Sequence, residues 1–363
     1  MIHFDISKLV DEPRRSGIQR VERALIRHWP DRDRLVPCRF SEGVLRTLPS
    51  AVMDLLAQDA PPGGIAAERA LLAPHLEGSG AAVPSGARLL CAELFDDPAR
   101  AAYHRHEAAH AAWLVYDFLP WLRPEWFPAG PANRLMPFLQ AMRDVGQRSF
   151  ISAATRRDCA ERMFHRPETG PVLPLGADGL GLERQYFDPT KRDIVMLGTI
   201  EARKNAIAAI AAFRQLWVEG SDARLVLIGA VEPDALAEQA TLRDLAGEAR
   251  LVQLGPQTDA EVRDALRCAR ALLFPSEGEG YGLPPVEALH AGIPVIVAAS
   301  LPALDGLPTH GQIRLDRPDA ESIARAVRSI GDDGTAGRLW EDAARMRLPG
   351  WAAFARSVAD WVG

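Results

Sequence analysis

Lysine is almost absent from this chain of 363 residues: basic positions are nearly all arginine, and Lys8, Lys191 and Lys204 are the only lysines. A lysine inside a motif is therefore not there by compositional default. Cysteine is equally sparse. Cys38, Cys91, Cys159 and Cys268 never fall in the C-x-x-C spacing of a zinc or redox centre, so they read as buried thiols in a reducing compartment. No apolar run reaches the roughly 18 residues of a membrane-spanning helix, and acidic and polar residues among Met1 to Val10 interrupt any secretory signal. A cytoplasmic location is expected, with membrane contact only at the surface. An excess of positive charge is missing too: the formal net charge is -6, which argues against nucleic acid as a partner. Nor does a Gly-x-Gly-x-x-Gly follow the first apolar run, Ile2 to Ile6, and that removes a NAD-dependent dehydrogenase.

What is present is an ordinary soluble composition, 47% apolar and 25% charged, at a length that points to two domains. Short apolar, β-prone runs alternate with longer helical stretches, the pattern of parallel sheets with crossover helices. In the first half, strands are expected at Ile2 to Ile6, Leu89 to Ala92, Trp113 to Tyr116 and Phe150 to Ser152. Helices are expected at Ile18 to Trp29, Pro98 to Ala111, Ala132 to Val145 and Ala154 to Arg162, while 40–86 is too rich in Ala, Pro and Gly to divide. Turn formers clustered between Arg166 and Arg192 mark a hinge. Strand and helix units then repeat from Ile194 to Ala298, as in a doubly wound domain. The tail from Asp319 carries two helical segments, the last being Trp351 to Trp361.

Two stretches of the second half carry chemistry. In Leu197-Gly198-Thr199-Ile200-Glu201-Ala202-Arg203-Lys204-Asn205 a strand runs through a glycine into a helix start. Backbone can approach a ligand at Gly198, and the helix N-terminus with Arg203 and Lys204 offers positive charge to a diphosphate. In Phe274-Pro275-Ser276-Glu277-Gly278-Glu279-Gly280-Tyr281-Gly282-Leu283-Pro284-Pro285-Val286-Glu287, glycines follow a strand and a helix begins near Pro284 or Pro285. Carboxylates at Glu279 and Glu287 can accept hydrogen bonds from hydroxyls at opposite ends of a nucleotide sugar. The bland alternatives are a solvated helix start and an ordinary turn.

Taken together, these stretches resemble glycosyltransferase family 4, retaining enzymes of the GT-B fold. The first matches the family's Arg-Lys donor-diphosphate motif and Glu279 to Glu287 its Glu-x7-Glu motif. Leu225 to Gly229 and Leu251 to Gly255 look like its inner strands, the second lying near the nucleotide base at Gln253 and Leu254. Ser16 to Val21, Tyr116 to Pro120, Ser152 to Thr155 and Pro174 to Asp178 fall where such enzymes carry acceptor-side loops and the hinge. The resemblance implies two Rossmann-like doubly wound domains facing each other across a cleft: 1–170, a linker at 171–192, and 193–344, with a last helix at about 345–363 crossing back to the first domain. It further implies that Arg203 and Lys204 bind the diphosphate beside Gly198 and Thr199, that Glu287 holds the ribose hydroxyls, and that Glu279 contacts the transferred sugar. Backbone around Tyr281, Gly282 and Leu283 braces sugar or phosphate, with Ser276 and Gly280 in the same loop, and Gly17 lets backbone approach the donor. Many relatives carry a Gly pair where this chain has Ser16-Gly17, and His-Asp where it has Tyr116-Asp117. Asp117 or Tyr116 must then serve in place of that His, or its role is absent from this chain. Acceptor-side candidates are Tyr116, Ser152 and Arg20.

The activity so implied is retaining transfer of a hexose from a nucleotide diphosphate sugar to a saccharide or lipid-linked saccharide in bacterial surface-polysaccharide synthesis. A GDP-mannose-type donor is favoured over a UDP-sugar, because Gly17 to Val21 and Tyr116 to Pro120 resemble mannosyl and rhamnosyl transferases of that kind. No metal or cofactor is expected. A catalytically weak scaffold that binds nucleotide sugar is the alternative from another class. His106-Glu107-Ala108-Ala109-His110 spells H-E-x-x-H, a zinc-hydrolase pattern when it lies on one helix, but no third-ligand pattern follows it. Asp31-Arg32-Asp33 has the D-x-D form of metal-dependent transferases of another fold and reads as a solvated turn. Arg20, Arg23 and Arg27, with Arg14 and Arg15 before them, form a stripe for anionic lipid or an acidic acceptor, or else a solvated face.

Overall fold

Apolar runs that are buried along their whole length, such as Ala111–Val115 and Ala269–Phe274, become inner strands of two six-stranded sheets. The structure is a computed structural model and describes residues 1–77, 80–127 and 130–363. The chain divides into Met1–Gly176 with Pro349–Gly363, and Ala177–Leu348. The first division falls inside the stretch expected as a linker at 171–192, of which residues from Ala177 onward belong to the second unit.

In the first unit the strands are β1 (Ile2–Asp5), β2 (Leu35–Ser41), β3 (Val44–Thr47), β4 (Leu89–Cys91), β5 (Ala111–Val115) and β6 (Gln147–Phe150), in the order β3-β2-β1-β4-β5-β6. Only β3 runs antiparallel to its neighbour. In the second unit, β7 (Asp193–Leu197), β8 (Arg224–Ile228), β9 (Leu251–Gly255), β10 (Ala269–Phe274), β11 (Val295–Ala298) and β12 (Gln312–Leu315) form a fully parallel sheet in the order β12-β11-β10-β7-β8-β9. Both are Rossmann-like: building starts in the middle and reverses, between β1 and β4 in one sheet and between β7 and β10 in the other. At such a reversal the loops leave the strand ends in opposite directions and open a ligand crevice.

Several elements differ from the sequence reading. The undivided stretch 40–86 contains a β2–β3 hairpin turning at Glu42 (φ 54°) and Gly43 (φ 83°), and the helices Ala51–Leu56 and Gly64–Leu76. The expected helix Ala132 to Val145 is two, Pro131–Arg134 and Met136–Asp144, because Pro137 has no N–H to continue the first. The tail from Asp319 holds three helices rather than two: Ala320–Gly331, Asp333–Arg345 and Trp351–Val362. Asp332 ends the first and caps the second by accepting from Thr335 N–H at 2.8 Å. Cys268 is exposed, unlike the other three cysteines. The last helix belongs to the first unit and packs on helix Gly17–His28 through a face that includes Trp351, Phe354, Val358 and Val362.

Beneath the reversal of the first sheet lies a buried ionic network. Arg100 pairs with Asp5 at 2.7 Å and with Glu93. Glu93 accepts the Lys8 and Leu9 N–H groups at 3.0 and 2.7 Å, and His104 Nε2 lies 2.7 Å from Asp5. The Trp113 indole can only donate, so His104 Nδ1 accepts from it at 3.3 Å and Nε2 carries the proton given to Asp5. Burial opposes ionisation of Asp5, but Arg100 and His104 outweigh it and hold the carboxyl well below its usual range. Glu22, fully buried on helix Gly17–His28, has both carboxyl oxygens shut away from water with the Glu93 carboxylate as neighbour. Burial, then the neighbouring Glu93 carboxylate, pushes it well above the ordinary carboxyl range.

Replacing Arg100 with Leu leaves two buried carboxylates without their cation and is expected to cost about 3–5 kcal/mol in urea unfolding; a loss under about 1 kcal/mol contradicts the network. Glu22 is neutral when folded and ionised when unfolded, so its contribution to stability is intact below about pH 4.5. It is lost as pH climbs through the raised folded value. Glu22→Gln should therefore melt with wild type at about pH 4.5 and a few degrees above it at about pH 8; a gap that does not widen with pH refutes this.

Candidate active site

At the reversal of the second sheet, β7 ends at Gly198 (φ 127°) and the chain continues through the tight turn Ala202–Lys204. Asn205, in the left-handed conformation (φ 61°), then redirects it into helix Ala206–Val218 and anchors the turn by donating to the Pro318 carbonyl at 2.7 Å. β10, adjacent to β7, ends at Phe274 and leads into the loop that carries Ser276 and Glu279. The two loops are joined through backbone and side chains. Glu277 N–H donates to the Arg203 carbonyl at 2.8 Å, and Arg203 Nη1 donates to the Gly278 carbonyl at 3.0 Å.

The charged groups alternate in sign. Glu201 meets Arg203 at 2.7 Å, Arg203 meets Glu279 at 3.0 Å, and Glu279 meets Lys204 at 2.5 Å. The Ser276 hydroxyl donates to Glu279 Oε1 at 2.6 Å, and Lys204 Nζ lies 4.9 Å from the Phe274 ring centroid. Exposure of the four charged side chains is only 11–18%, so their charges are weakly screened. Burial lowers the Lys204 pKa despite the adjacent Glu279 carboxylate. Burial works against ionisation of Glu279, yet Lys204 and then Arg203 overcome it and hold that carboxyl below its usual range. Burial raises Glu201.

Helix Leu283–His290 begins at Gly282 (φ 107°), one turn after the charged group, with Glu287 buried inside it. Any Cβ at Gly282 would sit 2.7 Å from Leu301 Cδ1, and one at Gly229 (φ 147°) 2.0 Å from the Gly198 carbonyl oxygen. The ends of β7 and β8 thus meet without a side chain between them. Together the loops present two cations, two carboxylates and a helix start on one sheet edge, an arrangement suited to a phosphate-bearing, hydroxyl-rich ligand.

Residues 183–347 match the family model described as "Glycosyl transferases group 1". Over this segment the chain is similar to that family. The serotype-specific mannosyltransferase WbdA of Escherichia coli is 29% identical over 216 residues, 53% of this chain and 26% of the relative. The phosphatidyl-myo-inositol mannosyltransferase of Mycolicibacterium smegmatis is 31% identical over 173 residues, 46% and 44% of the two chains. This chain thus spans about a quarter of the WbdA length. Among solved structures, Anabaena Alr3699/HepE in complex with UDP and glucose aligns with a TM-score of 0.70 at 14% identity, covering 99% of this chain and 98% of that one. WaaG, a glycosyltransferase involved in lipopolysaccharide biosynthesis, aligns at 0.61 and 15%, covering 100% and 99%. The fold is GT-B.

Within the matched segment the structure brings Arg203, Lys204, Ser276 and Glu279 into one group, with exposed Gly198 and half-buried Thr199 on the loop leading into it. Gly280, Tyr281, Gly282 and Leu283 continue the second loop into its helix. Gln253 and Leu254 lie apart from these bonds, exposed on edge strand β9. Glu201 and Gly229 were not singled out from the sequence; a carboxylate two positions before an arginine is too common a pattern to mark itself. In the first unit, Gly17 opens helix Gly17–His28 with nothing within 4 Å of a Cβ placed on it. Tyr116 donates its hydroxyl to the Ala92 carbonyl at 2.7 Å, and Asp117 accepts from Leu119 N–H at 3.0 Å. Ser152 is buried and caps helix Ala153–Arg157, so this acceptor-side candidate serves the backbone instead.

Three competing patterns dissolve. The H-E-x-x-H helix ends at His106, and Glu107 accepts from Ser85 Oγ at 2.8 Å and Gly86 N–H at 2.9 Å, so the motif does not lie on one α-helix. Arg32 of the D-x-D turn pairs with Asp54 at 3.0 Å. The arginine stripe does not form: Arg23 is buried against Glu68 at 2.6 Å, Arg15 reaches the same carboxylate, and Arg14 and Arg27 pair with Glu12 and Asp59, whereas Arg20 is half-buried. Among the described residues Asp5, Cys91 and His104 have ligand atoms within 4.8 Å of one another. Arg100 and Ser7 already use the Asp5 carboxylate and Trp113 the His104 Nδ1, and burial keeps the Cys91 thiol protonated, which leaves poor metal donors.

Gly229→Ala is expected to destabilise the protein by about 1–3 kcal/mol through the clash with Gly198, whereas Gly17→Ala should leave the melting temperature unchanged. Equal melting of the two variants would refute the close approach of β7 and β8.

Proposed function

We propose that the protein transfers a hexose, with retention at the anomeric carbon, from a nucleotide diphosphate sugar to a saccharide or lipid-linked saccharide of a bacterial surface polysaccharide. The observation that carries this reading is the convergence of Arg203 and Lys204 on one weakly exposed carboxylate at the sheet reversal. A GDP-mannose-type donor is supported by relatives named mannosyltransferases. A UDP-sugar is the competing donor, since UDP is bound in a structure of the same fold.

In the reaction the acceptor oxygen bonds to the anomeric carbon on the face from which the diphosphate leaves. The carbon–oxygen bond to phosphate breaks, and the acceptor's proton passes to the departing phosphate oxygen. Arg203 and Lys204 stabilise the charge that grows on that oxygen, where fixed cations in a poorly screened site act most strongly. Glu279 accepts from a hydroxyl of the transferred sugar and Glu287 from the ribose, while the backbone N–H groups of Tyr281, Gly282 and Leu283 brace the phosphate or sugar, since Pro284 and Pro285 have none to offer. Gly17, the first residue of helix Gly17–His28, and Asp117, in the loop that follows β5, are the first unit's candidates, the latter in place of the His that many relatives carry. The cations themselves supply the electrophilic assistance, so no metal is required. Among the described residues no helix is long and apolar enough to cross a membrane; a lipid-linked acceptor would be met at a membrane surface.

Lys204→Ala should lower turnover at saturating donor by roughly one to three powers of ten, and EDTA should leave wild-type turnover unchanged. Unchanged turnover in the variant, or loss of activity with the chelator, overturns the mechanism. Thermal shifts with GDP and UDP, with NMR of the product's anomeric configuration, decide donor and stereochemistry.

A further inference from the structure

The donors that a diphosphate needs are ones that the protein's own carboxylate already uses. Glu279 takes Arg203 Nη1 at 3.0 Å and Lys204 Nζ at 2.5 Å. With Glu201 on the far side of Arg203, two carboxylates balance two cations, so the group is formally neutral before any phosphate arrives. A neutral array attracts a diphosphate far less than two bare cations do, and a diphosphate bound beside an ionised Glu279 is repelled at short range. Glu279 Oε1 holds both the Lys204 ammonium and, at 2.6 Å, the Ser276 hydroxyl, so a carboxylate that gives up the cations can keep this neutral donor as it turns.

We propose that Glu279 is an intramolecular competitor of the diphosphate: carboxylate and diphosphate hold Arg203 and Lys204 in alternation, and the return of Glu279 to the two cations expels the nucleoside diphosphate after transfer. This rests on the reading of Arg203 and Lys204 as diphosphate ligands. Binding of the donor and release of the product are then one exchange run in two directions. Glu279 released from the cations is free to accept from the sugar, so the contact with the sugar forms only when the diphosphate is in place. Among the described residues Glu201 forms its ion pair with Arg203, at 2.7 Å, whereas Glu279 meets both cations, and burial favours the neutral form of Glu201. It can therefore take up a proton as negative charge enters the site, while Glu279, held ionised by both cations, has to move.

The test is calorimetric titration of inorganic pyrophosphate, GDP and UDP into wild type, Glu279→Gln and Lys204→Ala at fixed ionic strength, after melting curves show each variant folded. Glu279→Gln should bind pyrophosphate and the preferred nucleoside diphosphate about tenfold tighter or more, while sugar transfer slows; equal or weaker binding overturns the proposal. Should the Gln variant fail to fold, Glu279→Asp, which keeps the charge but withdraws it by one methylene, is expected to bind pyrophosphate a few-fold tighter, and again equal or weaker binding overturns it. Lys204→Ala separates the two ideas. If it binds like wild type, the diphosphate reading itself fails; if it loses binding while the Glu279 variants show no gain, only the competition fails.

Discussion

The pairing of Lys204 and Arg203 with Glu279 is the constraint on which the functional architecture of the second unit depends. It joins two loops 75 positions apart in sequence, one after each of two adjacent strands, through charges that are too poorly exposed to stand alone. Removing any member leaves a half-buried charge uncompensated, so the loops are tied by electrostatic necessity as well as by their backbone hydrogen bonds. A region built to hold opposite charges in a weakly screened setting is also one in which an incoming anion is strongly felt.

The two sheets share a topology and use their reversal points differently. In the first unit the charges there are sealed: Asp5, Glu93, Arg100 and His104 are 0–3% exposed and satisfy one another and the backbone. In the second the corresponding charges remain 11–18% exposed at the mouth of the loops. The strand order is shared; what differs is whether the polar groups at the reversal, paired with one another in both units, are closed off from solvent. The match to the group 1 family covers 183–347, the part where they are not.

Much of the second unit was legible because its signals are local. A strand that runs through a glycine into a helix with Arg-Lys at its start, and a Gly-rich loop that ends in prolines, announce themselves within a dozen residues. The first unit was harder to read. The hairpin at Glu42-Gly43 lies in a stretch poor in long apolar runs, and its two-residue turn takes positive φ at a glutamate, which the sequence does not advertise. The arginines of helix Gly17–His28 read as a surface stripe at helical spacing. Their acidic partners, Glu68 and Asp59, come from a helix and loop that the sequence left undivided. Ser152 looked like an acceptor contact and is a helix cap, because a serine that precedes a helix and one that faces a ligand are written alike.

The sequence by itself determined the α/β alternation, the doubly wound second half, and that Arg203 and Lys204 stand between a strand end and a helix, since each follows from periodicity or from neighbours a few positions apart. Only the tertiary structure decided which carboxylates those cations meet, that Glu201 shares Arg203 with Glu279, and that the charges of the first unit are sealed inside. The reason is physical: a charge's behaviour is set by burial and by partners within a few ångströms, and in this chain those partners come from strand ends that are neighbours in the sheet but distant along the chain.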